Sequence, residues 1–209
     1  YDAMPYRYYS AYKALMELKE TTQLPHKVRM EITKMCITIV TALNNIAYKC
    51  SDFSGSNVVS VDHSGSMRNK LSARSDVSYA EIGLLMGAMM CLSGHGDLWV
   101  FSEKAKRVEV LPSDSVIDLM ERAKDSMDWG GTYIDSAINT IIDYYKDEPE
   151  NLDNIILISD GDGYYATQSG EINISWDWYG LNNYGCESTN KTLSRLFKST
   201  ADNLWIYNV

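Results

Sequence analysis

Three short polar clusters in this sequence carry side chains that could hold a hard metal ion. They are the segments Asp62 to Ser66, Gly130 to Thr132 and Ser159 to Gly163, and the first and third directly follow runs of apolar residues. Carboxylate and hydroxyl oxygens, completed by water, suit magnesium, manganese or calcium rather than zinc or copper. We therefore predict a site for Mg²⁺, or alternatively Mn²⁺ or Ca²⁺. The candidate oxygen donors are Asp62, Ser64, Ser66, Thr132 and Asp160.

The spacing within the first cluster matters because a tight turn directs alternate side chains toward one point. Asp62, Ser64 and Ser66 alternate in this way, and Gly65 permits the turn. The glycines ahead of Thr132 let the backbone approach closely. Turn and helix-cap chemistry alone would also explain the two serines and the threonine. Two aspartates at matching strand ends favour metal binding over that simpler explanation.

Two other site patterns fit these clusters less well. Asp62, His63 and Ser64 are the residue types of a hydrolytic triad, but neighbours along a strand point to opposite faces and cannot form the required line. Asp160 and Glu171 have the end-to-end spacing of a calcium loop, yet the sixth position is not the required glycine and a strand pattern precedes the loop. Neither a hydrolytic triad nor a calcium loop is therefore predicted here.

The elements around the clusters must bring them together. From Asn57 onward, strand patterns alternate with helix patterns, which favours an α/β fold with a doubly wound, mainly parallel sheet flanked by helices. In such a sheet, ligands collect at the carboxyl ends of the strands. The predicted strands are Asn57–Asp62, Asp97–Phe101, Lys106–Val110, Asn154–Ser159 as the central strand, and Asp202–Val209, with the second and third forming the one antiparallel hairpin. The predicted helices are Ser78 to about Ser93, Asp114–Ser126 capped by Ser113 or Asp114, Tyr133–Tyr145, and about Ser188–Ser199.

Residues 1–56 form a helical lead-in, and residues 57–209 form the sheet domain. Apolar residues recur at helical spacing in two series within residues 1–49, and the break from Thr21 to Pro25 predicts two helices. Ser51 to Ser56 has the length of an ordinary connecting loop. Ser78, with Glu81 three residues later, predicts a capping box at the first helix of the sheet domain.

Composition narrows the range of partners. The chain has 209 residues, of which 45% are hydrophobic, and its 19 basic and 28 acidic residues give a net charge of −9. This acidic net charge argues against a protein that lays a broad surface on the phosphate backbone of a nucleic acid. No apolar run reaches the roughly 20 residues that a membrane-spanning helix needs, so no membrane contact is expected. The four cysteines are widely spaced, which favours reduced thiols and a cytoplasmic location.

The order Asp62-x-Ser64-x-Ser66, with Thr132 and Asp160 at later element ends, resembles the metal-ion-dependent adhesion site of von Willebrand factor A domains. All five positions match. The resemblance implies that these side chains hold one divalent cation, some of them through water. It also implies an open coordination position that accepts a carboxylate from a partner, and a domain that binds without catalysing.

Three further segments are similar to Ro (TROVE) RNA-binding proteins, in which a ring of helical repeats runs into a von Willebrand A domain. These segments are Met4 to Tyr8 before a helix, Trp129 to Thr132, and Leu204 to Val209. The resemblance implies that residues 1–56 are the last helices of such a ring. It also implies that small noncoding RNA binds through sequence outside or at the start of this chain. The alternative is a metal-dependent protein-interaction module with no RNA role.

Two features depart from the family pattern. His63 stands where a small or apolar residue is common, and residues 163–188 form a long aromatic and polar loop. This loop is expected to be either a satellite cluster that covers the missing sheet edge or packs on itself, or a lid or partner platform beside the metal. The family's last strand and closing helix would lie beyond Val209.

Overall fold

The structure is a computed structural model of the chain. It describes residues 4–21, 23–49, 55–73, 75–94, 96–147, 152–160, 162–167, 170–175 and 203–208, the last three segments by their backbone alone. The predicted lead-in is present as two helices, α1 (Pro5–Thr21) and α2 (His26–Lys49). The helix α2 has one inward face, because its buried residues recur at helical spacing. They are Ile32, Cys36, Leu43 and Ala47.

The sheet domain is α/β, with a five-stranded and mainly parallel sheet. Its strands in chain order are β1 (Asn57–Asp62), β2 (Asp97–Phe101), β3 (Ala105–Val108), β4 (Asn154–Ser159) and, as the last strand, Asn203–Asn208. A second sheet pairs β5 (Asp162–Thr167) with β6 (Gly170–Ser175), so the last strand is β7. The order across the main sheet is β3-β2-β1-β4-β7, and β3 alone among these five is antiparallel to its neighbour.

Helices cover both faces of the main sheet, as a doubly wound fold requires. They are α3 (Tyr79–Gly94), α4 (Val116–Asp125) and α5 (Ile134–Tyr144). One apolar cluster contains residues of the four helices α1, α2, α3 and α4 together with alternate strand residues such as Val59 and Val61. The other joins α5 with the intervening residues, such as Val58 and Ile155. Strand residues point alternately to the two faces, and both faces are buried, which explains why β1 and β4 are nearly continuous apolar runs.

Three details differ from the prediction. Residues 162–175 contribute the antiparallel pair β5 and β6, so the hairpin of β2 and β3 is not the only one, and this part of the aromatic segment is not a loop. The middle strand is β1, while β4 lies beside it. The helix α4 begins at Val116 and is capped by Ser115 in a capping box with Asp118, because Asp114 is held instead by Arg122 at 2.6 Å. The helix predicted at about 188–199 lies outside the described residues.

Helix α3 approaches β1 closely because two glycines face the strand. A Cβ atom on Gly83 would lie 2.9 Å from Cγ1 of Val61, and one on Gly87 would lie 2.7 Å from Cγ2 of the same residue. Contacts that short are not tolerated in a packed interior. The glycines therefore allow the helix to cover the last residues of β1 just before the Asp62 cluster.

The lead-in is tied to the sheet domain by a polar network around Glu81. The hydroxyl of Tyr9 donates to Glu81 Oε1 at 2.9 Å, and Lys13 Nζ lies 2.8 Å from the same oxygen. Lys124 of α4 donates to the Tyr9 hydroxyl at 3.0 Å. The predicted capping box is confirmed, since the Ser78 amide donates to Glu81 Oε2 and the Glu81 amide donates to Ser78 Oγ. One carboxylate thus caps α3 and anchors α1.

We expect Glu81→Gln to lower the free energy of unfolding by about 1–3 kcal/mol, the range for hydrogen bonds to charged groups. Glutamine keeps the capping box but leaves Lys13 without its charged partner. The matched control is Glu121→Gln, because Glu121 forms an exposed pair with Lys124 and should change stability by less than about 1 kcal/mol. Urea denaturation measures both. Equal losses in the two variants would contradict the anchoring role.

The same variant has a predictable pH dependence. Burial raises the pKa of Glu81, but hydrogen bonds from Lys13 and from the Ser78 amide more than offset this, so the pKa lies below its ordinary value of 4.5. A carboxylate with a lowered pKa stabilises the fold above its unfolded-state pKa, and that stabilisation is lost as the pH falls through the folded-state value. The difference between wild type and Glu81→Gln should therefore shrink below pH 4.5.

Candidate functional site

The polar clusters lie at the carboxyl edge of the main sheet. Val61 pairs with Val100 of β2 and with Ile158 of β4, all in parallel register. The residues that follow these strands therefore emerge side by side. Asp62 ends β1, and Ser159 ends β4 just before Asp160.

Asp62 is the most constrained of the candidate donors. Its side chain has no solvent exposure. Oδ1 accepts from the Ser64 amide at 2.8 Å, and Oδ2 accepts from the Ser159 hydroxyl at 2.7 Å. Burial raises the pKa of this carboxyl to about 6, although these hydrogen bonds oppose the rise, and the nearby charge of Asp160 adds to it. The Ser64 hydroxyl adds a third hydrogen bond to this carboxylate, and a carboxylate offers about four acceptor positions, so capacity remains for one further partner.

The turn after Asp62 brings the two serine hydroxyls together. Ser64 precedes a short 3₁₀ helix, Gly65–Arg68, and its Oγ lies 3.2 Å from Oγ of Ser66. Met67 is fully buried and anchors this helix, with its methyl group near Gly83 of α3. The predicted convergence of Asp62, Ser64 and Ser66 is thus present in hydrogen bonds that link neighbouring members of the set.

Thr132 reaches the same edge through the loop before α5. The amide of Gly65 donates to the carbonyl oxygen of Gly130 at 3.0 Å, which joins the two turns directly. The amide of Tyr133 donates to the carbonyl oxygen of Ser102, which follows β2, at 2.9 Å. Thr132 lies between these two anchor points and is 3% exposed. Thr132 is therefore a buried residue of the loop that is hydrogen-bonded, through Gly130, to the Asp62 turn.

His63 holds the same loop, a role that its sequence position did not reveal. The amide of Asp128 donates to His63 Nδ1 at 3.1 Å, and the carboxylate of Asp128 accepts from the Ser102 hydroxyl. The imidazole is fully buried, and burial lowers its pKa to about 4 even though Asp128 opposes the shift. At neutral pH the ring is therefore uncharged, with its proton on Nε2. It serves as a hydrogen-bond acceptor for the loop and not as a member of a triad with Ser64.

A second contact between the two turns lies on the surface. The guanidinium carbon of Arg68 lies 4.6 Å from the centre of the Trp129 ring. Trp129 has a φ of 58°, a left-handed conformation that is rare for a bulky residue and costs about 1–3 kcal/mol. The sequence offered no sign of this pair, because the two residues are 61 positions apart and neither belongs to the donor set.

The donor set fits a hard divalent cation by its chemistry. It contains two carboxylates and three hydroxyls, all oxygen, and Asp62 retains free acceptor capacity. Within the described ranges, no three or more His, Cys, Asp or Glu side chains are grouped so as to hold a metal ion. A cation at this edge would therefore depend on the serine and threonine hydroxyls and on water, as Mg²⁺ sites commonly do.

Comparison with known proteins establishes the fold. The Ro (RSR) protein of Deinococcus radiodurans is similar over 98% of this chain and 37% of its own, with a TM-score of 0.55 and 14% sequence identity. The predicted Ro-like architecture, a doubly wound sheet preceded by two helices, is thereby confirmed at the level of fold. The chain spans well under two thirds of that protein's length.

Other structural similarities are weaker. An aerotolerance-related membrane protein from Bacteroides fragilis is similar over 54% of this chain and 57% of its own, with a TM-score of 0.41 and 20% identity. An uncharacterised membrane-spanning protein from Vibrio fischeri covers 73% of this chain and 92% of its own, with a TM-score of 0.33 and 13% identity. No protein-family model and no curated protein sequence matches the chain. In its described part, no helix has the length and apolar character needed to cross a membrane.

We expect Asp62→Asn to stabilise the metal-free protein at pH 7. The folded-state pKa is about 6 and the ordinary value is 3.8, so the group stabilises the fold below 3.8 and this contribution is lost as the pH rises through 6. Two pKa units correspond to about 3 kcal/mol. Asparagine removes the charge but can still accept from the Ser64 amide.

Urea denaturation in EDTA at pH 7 and pH 4 measures this effect. The gain should be present at pH 7 and absent at pH 4. Asp76→Asn is the control, since the Asp76 side chain is 84% exposed and should change stability by less than about 0.5 kcal/mol. Destabilisation by Asp62→Asn at pH 7 would mean that the buried charge is not unfavourable.

Proposed function

We propose that this chain is a non-catalytic domain that binds a divalent cation, with Mg²⁺ first and Mn²⁺ or Ca²⁺ as alternatives. The observation that carries the proposal is a buried carboxylate, Asp62, that hydrogen-bonds to Ser64, whose hydroxyl lies 3.2 Å from that of Ser66. A buried charge without a cation is unfavourable, so a cation would relieve the penalty that raises the Asp62 pKa. Thr132 and Asp160 complete the proposed set.

The proposed cation would serve recognition. When bound, it supplies a centre of positive charge that a carboxylate on a partner can approach. The chain's own residues hold it in place: Asp62 and Asp160 contribute charge, while Ser64, Ser66 and Thr132 contribute neutral oxygens. We therefore propose a protein or small ligand with an exposed carboxylate as the partner. None of the donors is a general base free of this task, which is why we propose binding without catalysis.

We further propose that the domain belongs to a Ro-like RNA-binding protein that acts in small noncoding RNA particles or RNA quality control. The fold shared with the Deinococcus Ro protein supports this, because the similarity includes both lead-in helices. Small noncoding RNA would bind through sequence outside this chain or through its first residues. A cytoplasmic location accompanies this proposal as a prediction from the cysteine pattern.

The alternative is a metal-dependent protein-interaction module without an RNA role. The charges of the lead-in favour it, since Lys13 is paired with Glu81 and Lys34 with Glu31. Those pairs reduce the positive charge that α1 and α2 could offer to RNA. The net charge of −9 acts in the same direction.

Metal titration tests the proposed site. Calorimetry with MgCl₂ and MnCl₂ should give saturable binding to the wild-type chain and at least a tenfold weaker affinity for Asp62→Asn. The reason is that the variant loses one of two anionic donors. Asp76→Asn removes an exposed carboxylate from the segment after the 3₁₀ helix and should bind as wild type does. Equal affinities in wild type and Asp62→Asn would place any cation elsewhere.

Gel shifts separate the two functional proposals. With a structured small RNA hairpin, the Ro-like proposal predicts a salt-sensitive shift that is weakened by charge reversal of Lys27 and Arg29, two exposed residues of α2. Asp62→Asn should leave that shift unchanged, because the proposed RNA contacts are in the lead-in. Absence of a shift at tens of micromolar protein would favour the protein-interaction alternative for this chain.

A further inference from the structure

The exposed rim of the candidate metal site carries an arginine in a defined orientation. Arg68 ends the 3₁₀ helix that contains Ser66, and its side chain is exposed. Its guanidinium lies over the Trp129 ring, with 4.6 Å between the guanidinium carbon and the ring centre. Stacking on an aromatic face leaves the edge of a guanidinium, with its N–H donors, free to bind a carboxylate.

Two backbone features hold this pair beside the donor set. The hydrogen bond from the Gly65 amide to the Gly130 carbonyl fixes the turn of Arg68 against the loop of Trp129. Met67, which is fully buried, fixes the 3₁₀ helix from below. Trp129 has a positive φ of 58°, so the loop adopts an unfavourable backbone conformation where the ring meets Arg68. Arg68 is thus held against the loop that leads to Thr132 by the hydrogen bond that joins the two turns.

The charges at this edge leave Arg68 available. Lys70 pairs with Asp76 at 3.1 Å, and Lys106 lies 3.4 Å from Asp128. Arg68, by contrast, forms no ion pair with any described residue. In a chain with a net charge of −9, an acidic partner is repelled over most of the surface, and a held, unpaired arginine provides a local exception.

We infer that Arg68 is a second recognition point for the partner, and that the partner is an acidic peptide segment with two neighbouring carboxylates. One carboxylate approaches the proposed cation, and the other binds the guanidinium edge of Arg68. Trp129 acts as a positioning residue, since it reaches the partner only through Arg68. This inference rests on the proposed function, because it assigns the second carboxylate of the ligand that the metal site would recognise.

An acidic peptide fits the pair better than RNA does. One face of Trp129 is already covered by Arg68, and base stacking requires an open aromatic face. The carboxylates of Asp62 and Asp160 would offset part of the charge of a bound divalent cation, so the described part of the rim would offer only the cation and Arg68 as positive centres. Binding to a phosphate backbone usually requires several lysine or arginine side chains.

Two synthetic peptides test the inference with the full 209-residue chain. One has two adjacent aspartates and the other has an aspartate followed by asparagine, and fluorescence anisotropy at saturating Mg²⁺ gives their affinities. We expect wild type to prefer the two-aspartate peptide by about 3- to 10-fold, which extends beyond the roughly 5-fold upper limit for a freely exposed ion pair because the arginine is held. Arg68→Gln should abolish that preference and leave the one-aspartate affinity and the Mg²⁺ affinity unchanged.

Three matched variants separate the held arginine from general charge. Lys70→Gln removes an exposed cation two residues from Arg68, Lys104→Gln removes an exposed cation from the turn between β2 and β3, and both should retain the preference. Arg68→Lys keeps the charge without the planar fork, and it should retain less than half of the preference. If Lys104→Gln abolishes the preference and Arg68→Gln does not, the assignment to Arg68 is wrong.

The outcomes distinguish this inference from the proposed function. If Mg²⁺ fails to bind wild type, the metal proposal fails, and peptide binding will be independent of EDTA. If Mg²⁺ binds and Asp62→Asn abolishes its binding, but neither peptide binds or Arg68→Gln leaves the preference intact, only the Arg68 inference is overturned. It is also overturned if Arg68→Gln weakens the binding of a short single-stranded RNA without changing the affinity for either peptide.

Discussion

The buried carboxylate of Asp62 is the constraint on which the carboxyl edge of this sheet depends. A charge in that position is unfavourable unless donors surround it, and the Ser64 amide and Ser159 hydroxyl supply two. One donor lies in the turn after β1 and the other at the end of β4. The hydrogen bonds to Asp62 therefore also fix that turn against the end of β4. The loop before α5 then follows, because its Gly130 carbonyl accepts from Gly65 in the same turn. A local electrostatic requirement is in this way distributed over three separate segments of chain.

Much of this arrangement could be predicted from the sequence, and particular residues show why. The apolar runs of β1 and β4, followed by Asp62 and Ser159-Asp160, indicated a parallel sheet with a polar edge, since only a strand buried on both faces is continuously apolar. The capping box of Ser78 and Glu81 was readable because its two members are three residues apart. Asp114 was misassigned as a cap because its true partner, Arg122, lies eight residues away and competes for the carboxylate.

Contacts between distant segments were beyond the reach of sequence patterns. In the sequence, His63 is distinguished only as an unusual residue at its position, because its bond to the Asp128 amide spans 65 positions. The pairing of Arg68 with Trp129 depends on a positive φ that no propensity would assign to tryptophan. The strand β5 was missed because its polar and aromatic residues do not alternate, whereas the alternation of Ile172 and Ile174 in β6 is present in the sequence but covers few residues. Periodicity reports burial, and polar bonds between distant segments leave no periodic trace.

The packing of α1 and α2 also limits how far this chain can be shortened from its N-terminal side. Leu43 and Ala47 are fully buried, and they share an apolar cluster with Leu84 and Ala88 of α3. A fragment beginning at Asn57 would uncover that side of α3, and an uncovered apolar face of this kind promotes self-association. The change from helical to alternating sequence pattern near residue 56 is therefore a boundary in secondary structure and not a place to cut. A shorter chain would need another segment packed on α3 in place of the lead-in, or polar substitutions at the apolar residues of α3 that the lead-in buries.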